Sequence, residues 1–137
     1  MDAIELLTSR SSTPRLQEPA PSAEHWQIIQ KAALRAPDHA GLKPWSFVVF
    51  NNDEAKTQLG EYFAEALLHA DAEATEIKIE KAKKAPFRAP LVVACIAKVK
   101  EHPKVPRVEQ VLSAGCAVMA MQQAAFALGY GGVWRTG

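Results

Sequence analysis

Cysteine is scarce in this chain, and so is any excess of charge. Only Cys95 and Cys116 occur, both inside apolar runs, with no CxxC pair and no Cys/His spacing of the kind that holds zinc. No metal site is expected, and the two thiols read as buried and free, which points to a reducing compartment. Sixteen Lys and Arg stand against fifteen Asp and Glu, a net charge of +1. That is too little for the broad basic field on which nonspecific nucleic-acid binding depends, so any anion site must be local.

Other signals are missing too. The start, Met1-Asp2, has no basic segment followed by an apolar one, so no secretory leader is visible and a cytoplasmic location is expected. There is no internal repeat, no catalytic triad, and no glycine fingerprint of the dinucleotide-binding βαβ unit. The longest apolar stretch, Val111 to Leu128, is long enough to raise a membrane span. Ser113, Gln122 and Gln123 interrupt it, and alanine, glycine and methionine outnumber large aliphatics, which fits a buried helix of a soluble domain. With 137 residues, 48% of them hydrophobic, the chain is expected to form one domain over 1–137.

The stretch RAPDHAGLKPWSFVVF, Arg35 to Phe50, organises the rest. A helix ends near Arg35, a polar loop carries Asp38, His39 and Gly41 between Pro37 and Pro44, and Trp45 opens a strand. The residue before each proline is pushed out of the α region, so the loop is fixed. Upstream, Asp2 caps a short helix that stops near Ser9 or Arg10, and Ser22 caps one carrying Trp26, Ile29 and Ala33. Downstream, Asn51-Asn52-Asp53 starts a helix with Leu59, Phe63 and Leu67 on one face. A charged helix is expected from Asp71 to Lys84, and a strand covered on both faces from Leu91 to Val99. A long helix then runs from Pro106 to Leu128, ending at Gly129, and Gly131 to Trp134 begins something extended. The order fits an α+β or α/β layer fold with the last helix at its centre. Because the chain stops as a strand begins, its C-terminal part is expected to be incomplete.

Taken singly, the chemistry-bearing residues leave two readings open. Arg10-Ser11-Ser12 offers a guanidinium fork and two hydroxyls to a phosphate, or is an ordinary surface loop. Arg35 is an anion ligand or a cation placed by the helix dipole. His39 is a ligand or a solvated loop residue, and Gly129, Gly131 and Gly132 a backbone approach or a turn.

Four stretches together, MDAIELLTSRSSTPRL, RAPDHAGLKPWSFVVF, KAPFRAPLVVACIAK and KVPRVEQVLSAGCAVMAMQQAAFALGYGGVWRTG, resemble the small FMN-dependent nitroreductases, in particular their minimal bacterial subgroup. The resemblance runs from Met1 to Gly137. It implies a three-layer α/β/α fold with a central, mostly antiparallel sheet and a long central helix, assembled as a homodimer with FMN at the subunit interface. Arg10, Ser11 and Ser12 match the loop that grips the flavin phosphate and ribityl chain. Arg35 and His39 match positions that reach the flavin from the other subunit. Trp134, Arg135 and Thr136 match the segment beside the isoalloxazine, with a backbone N–H near Thr136 or Gly137 facing flavin N5. NADH or NADPH, the hydride donor, is assigned in the subgroup to the helix end matching Ala124, Ala125, Phe126, Ala127, Leu128 and Gly129.

What the resemblance implies for activity is hydride transfer from NAD(P)H through flavin N5 to a nitroaromatic, quinone or similar small-molecule acceptor, by a ping-pong mechanism. The cofactor carries the hard step, so no catalytic side chain is required. Neither nucleic acid nor membrane is expected as a partner. Ser11 stands where the family usually has a second cation, and Pro14 where a polar or basic residue is common. These departures frame an alternative: a flavin-binding carrier of the same fold without turnover. A third reading is a helical partner-binding domain that uses the Val111 to Leu128 face.

Overall fold

The computed structural model describes residues 1–135 and is α+β. Five helices and two strands follow in the order α1 (Ala3–Ser9), α2 (Ala23–Ala33), β1 (Trp45–Phe50), α3 (Asp53–Ala70), α4 (Glu76–Lys84), β2 (Val92–Ala97) and α5 (Arg107–Ala127). A tight turn with left-handed Ala40 and Gly41 covers His39–Gly41, and a short 3₁₀ turn covers Ala85–Arg88. The chain divides into two compact units, one built on α1, α2 and α5, the other on α3 and α4.

Local signals set most of the boundaries. Asp2 accepts from the Ile4 and Glu5 amides, Ser22 from His25, Asn52 from Ala55 and Thr75 from Lys78, so four helices start where a short polar side chain satisfies an otherwise unpaired amide. α5 begins after Pro106, whose missing N–H costs nothing there, and ends before Gly129, which takes φ +89°. β1 and β2 pair in a two-stranded sheet. The Lys98 amide, just past the end of β2, donates to the Pro44 carbonyl, just before β1, at 3.0 Å, so the strands run antiparallel.

In the α5 unit, α2 packs on α5. Ile29 and Ala33, one turn apart on α2, are buried, as are Ala114, Ala117 and Met121 on α5. Ala117 is fully inaccessible; small residues on this face let the two backbones approach, and burying each large aliphatic chain stabilises by about 1.5–3 kcal/mol. Gln110, 1% exposed, and Ser113, 8% exposed, are the polar exceptions, and Gln110 is the more heavily bonded. Its Oε1 accepts from the Lys100 amide at 2.9 Å, and its Nε2 donates to the Lys100 and Val105 carbonyls at 2.8 and 3.2 Å. One side chain thereby ties the 100–105 loop to the first turn of α5.

In the α3–α4 unit, Leu59, Gly60 and Ala64 of α3 are buried. A Cβ on Gly60 would collide with the backbone carbonyl of Lys83 on α4, so only glycine allows that approach. Lys56 is 8% exposed yet keeps partners: its Nζ donates to the Pro90 carbonyl at 3.4 Å and lies 5.4 Å from the Phe87 ring centroid.

Four expectations change. Cys116 is exposed rather than buried, because α5 shows one face to solvent along its length; Cys95 is half-buried, and desolvation pushes its thiol pKa up. The second half of β2 is open, with Ile96 47% exposed, so this strand is not covered on both faces. α4 starts at Glu76, not Asp71, because Asp71 closes α3 and its side chain accepts from the Glu73 amide in a turn. Among the described residues, Gly131 to Trp134 forms no strand.

Candidate functional site

The loop after α2 is held by anchors spread along it. The Ser113 hydroxyl of α5 donates to the Pro37 carbonyl, the Lys43 amide donates to Asp38 Oδ2 at 2.9 Å, and Lys100 Nζ donates to the Leu42 carbonyl at 3.0 Å. Pro44 is fully buried. Between the anchors Ala40, Gly41 and Lys43 take φ of +62°, +64° and +46°. For Ala40 and Lys43 that is the sparsely populated left-handed region, which persists only where surrounding contacts impose it.

This loop presents His39. Its Nδ1 lies 2.9 Å from Glu109 Oε2, in the first turn of α5, and both side chains are about half exposed. Beside them a cavity of about 220 Å³ is lined by His39, Pro44, Glu109, Leu112, Ser113 and Cys116. Asp38 also lines it, and its buried Oδ1 has no hydrogen-bond partner among the described residues. Arg35 is exposed on the turn that ends α2.

A second cluster forms around α1 and the end of the α5 unit. Arg10 is the C-cap of α1 and half-buried, while Ser11 and Ser12 are exposed. The Thr13 amide donates to the Gly132 carbonyl at 2.9 Å, which brings the arginine–serine loop against the segment leading to Trp134. The Trp134 ring in turn lies over Gly115 of α5. Tyr130 fixes the path of this segment: its hydroxyl accepts from the Ser22 amide at 3.4 Å and lies 2.9 Å from His25 Nδ1.

The structure thus ties the residue after Arg10, Ser11 and Ser12 to the segment before Trp134, and holds His39 against Glu109. Arg135 lines a wide groove on α3 and α4 with Leu67, Ile77, Lys81 and Arg88. Thr136 and Gly137 lie outside the described residues. Ala124 to Gly129 form the last turn of α5 and its cap. There the carbonyls of Ala124, Ala125 and Phe126 are taken by the amides of Leu128, Gly129 and Tyr130. Among the described residues, none of the six arginines pairs with a carboxylate, and no His/Cys/Asp/Glu group could hold a metal ion.

Sequence reasoning missed Glu109, Gln110, Tyr130 and His25. Glu109 lies 70 positions from His39, and nothing local marks the pair. Tyr130, an aromatic with a polar tip directly after a capping glycine, was the one visible cue.

The nitroreductase family model matches residues 7–137. The chain belongs to the nitroreductase family. It is 49% identical over its whole length to "Putative NAD(P)H nitroreductase YdjA" of Escherichia coli strain K12, spanning 73% of that protein. Among solved structures, a nitroreductase-like family protein from Bacillus cereus superposes over the entire chain and 71% of its own, with a TM-score of 0.79 at 18% identity. A nitroreductase with bound FMN from Bacteroides fragilis matches 92% of this chain and 65% of its own, with a TM-score of 0.62 at 21% identity. The nitroreductase fold expected from the sequence is therefore the observed one.

Proposed function

We propose that this nitroreductase-family chain forms a homodimeric flavoenzyme that binds FMN between its subunits and uses NADH or NADPH to reduce nitroaromatic, quinone or similar acceptors. The observation that carries this reading is the bond from Thr13 to Gly132. It brings the loop that carries Arg10, Ser11 and Ser12 next to the segment that leads to Trp134, so that a guanidinium, two hydroxyls and an indole stand on neighbouring stretches, the residue types that a phosphate, a polyol chain and a flat ring require. The related YdjA and the FMN-bound Bacteroides fragilis structure support the same choice of cofactor and donor.

The residues fit FMN. Arg10 and Arg35 have no carboxylate partner among the described residues, so their charge remains available to a phosphate. Asp38 Oδ1 is an acceptor awaiting a donor. The cavity beside His39, about 220 Å³, falls below the roughly 300–1,000 Å³ of a typical ligand site. A site completed by a second subunit resolves that shortfall. A surface for the second subunit is at hand: Val108, Val111, Leu112 and Met119 form an exposed apolar stripe on α5, at 61, 42, 63 and 39% exposure.

Bound FMN would supply the redox chemistry, relaying reducing equivalents from NAD(P)H to the acceptor in ping-pong order. The chain's task is to bind and orient. Arg10, Ser11 and Ser12 would hold the phosphate and ribityl chain, Arg35 and His39 would reach in from the partner, and Trp134 would border the ring. The nicotinamide belongs on the flavin face rather than at Ala124–Gly129. A helix C-terminus carries partial negative charge, and its carbonyls here are already engaged, so it repels a pyridine-nucleotide phosphate.

Absorbance spectra before and after NADPH test this directly. The purified protein is expected to be yellow and to bleach rapidly. A yellow protein that never bleaches makes it a flavin carrier, the reading that Ser11 and Pro14 favour; a colourless one ends the proposal.

A further inference from the structure

We propose that Glu109 is a positioning residue for the cofactor, acting through His39; this rests on the FMN reading above. A carboxylate can only accept, so the 2.9 Å contact places the imidazole proton on Nδ1 and turns Nε2 away from α5. In the neutral ring Nε2 is then a lone-pair acceptor, matched to an N–H or hydroxyl of the flavin rather than to its phosphate.

Three observations separate this role from that of an ordinary surface ion pair. First, the backbone carrying His39 is already anchored through Pro37, Asp38 and Leu42, and none of those bonds uses the imidazole. Glu109 therefore orients the ring and not the loop. Second, side-chain exposures of 56 and 48% leave the pair little to contribute to folding, because water screens it. Third, Glu109 sits in the first turn of a 21-residue helix. Gln110 beside it is fixed by three hydrogen bonds, so the backbone that carries Glu109 is held in place. Of the nearby charges, Asp38 has one oxygen engaged by the Lys43 amide, and Arg107 makes no ion pair with Glu109 among the described residues.

Fluorescence titration of the deflavinated full chain with FMN, for single and double variants, tests the idea, with folding followed by circular dichroism. His39→Ala is expected to weaken FMN about tenfold and Glu109→Ala about three- to fivefold, with the double variant no weaker than His39→Ala alone. Glu109→Gln keeps an oxygen that accepts from Nδ1–H and should recover most of the loss. Nitrogen-15 spectra of the imidazole should show the Nδ1–H form in the wild type and in Glu109→Gln, and a tautomer mixture in Glu109→Ala.

Wild-type FMN affinity in Glu109→Ala, alongside a clear loss in His39→Ala, overturns the positioning role and leaves the shared flavin site standing. Additive losses in the double variant overturn it as well, since Glu109 would then act independently of His39. Unchanged affinity in His39→Ala with a loss in Arg10→Ala removes His39 and Glu109 together from the site, while the Arg10 loop keeps its assignment. No loss in any of the three variants overturns both readings.

Discussion

The two units handle their charges differently. On α3 and α4 three of the five lysines find carboxylates close by, Lys56 with Asp53, Lys78 with Asp71 and Lys83 with Glu61, while Lys81, Lys84 and Arg88 pair with none among the described residues. In the α5 unit the only such contact among the described residues is His39 with Glu109, while Arg10 and Arg35 pair with none and the outer face of α5 stays apolar. Charge that is neutralised within a unit serves its own surface. On the proposed reading, the open arginines of this unit serve a cofactor phosphate and the exposed apolar stripe a second subunit.

The sharpest way to break that contrast is to put a charge on the stripe. Leu112→Glu is expected to abolish dimerisation, because burying an unpaired carboxylate costs several kcal/mol, enough to overwhelm most interfaces of this kind. Sedimentation should then give a mass near 14.9 kDa, and the protein should lose its flavin with its partner. A Leu112→Glu protein that stays dimeric places the interface elsewhere.

Next come the open arginines. If each arginine makes the proposed charged hydrogen bond to the cofactor, Arg10→Ala or Arg35→Ala should reduce FMN affinity by about 1.5–3 kcal/mol, roughly ten- to a hundredfold. Fluorescence titration of each variant decides; wild-type retention in both would mean that their missing carboxylates have no functional reason.

Much of the fold was legible in the sequence, and the part that was not has a physical cause. Helix starts were readable at Asp2, Ser22 and Asn52 because capping is a local bargain between a short side chain and an amide two or three residues on. β1 was readable to the residue from its β-branched and aromatic run between turn residues. Arg10-Ser11-Ser12 gained meaning only as part of a family pattern, since its own chemistry also fits a plain loop. Cys116 reads as buried from sequence, yet is exposed, because an apolar run shows that a helix must be covered without showing which face the same chain covers. Glu109 and Gln110 were invisible for the same reason: their partners are set by tertiary approach, His39 from a distant loop and Lys100 from across a turn. α4 was started too early because a gradient of charge along the sequence has no sharp edge, whereas the Thr75 cap does.

Within the α3–α4 unit, Gly60→Ala separates packing from propensity. In an exposed helix interior this change would stabilise by up to about 1 kcal/mol. Here the new methyl meets the Lys83 backbone, which cannot step aside as a flexible side chain would, so a net loss of about 1–3 kcal/mol is expected, with FMN affinity unchanged. A thermal melt that rises instead would mean that α4 shifts freely away from α3.

The smallest effect should come from breaking a pair on that unit's surface. Lys83 and Glu61 are 36 and 51% exposed and 3.3 Å apart. Their attraction is screened and is offset by the entropy of holding two long side chains together, so Glu61→Gln should change stability by no more than about 0.5–1 kcal/mol and leave flavin binding untouched. The size of that number matters less than its comparison with Arg10→Ala. If neutralising Glu61 alters FMN affinity as much as removing an open arginine does, the local pairing of charge on α3 and α4 no longer marks a surface that serves only itself. The division of labour between the two units would then have to be redrawn around a ligand that both touch.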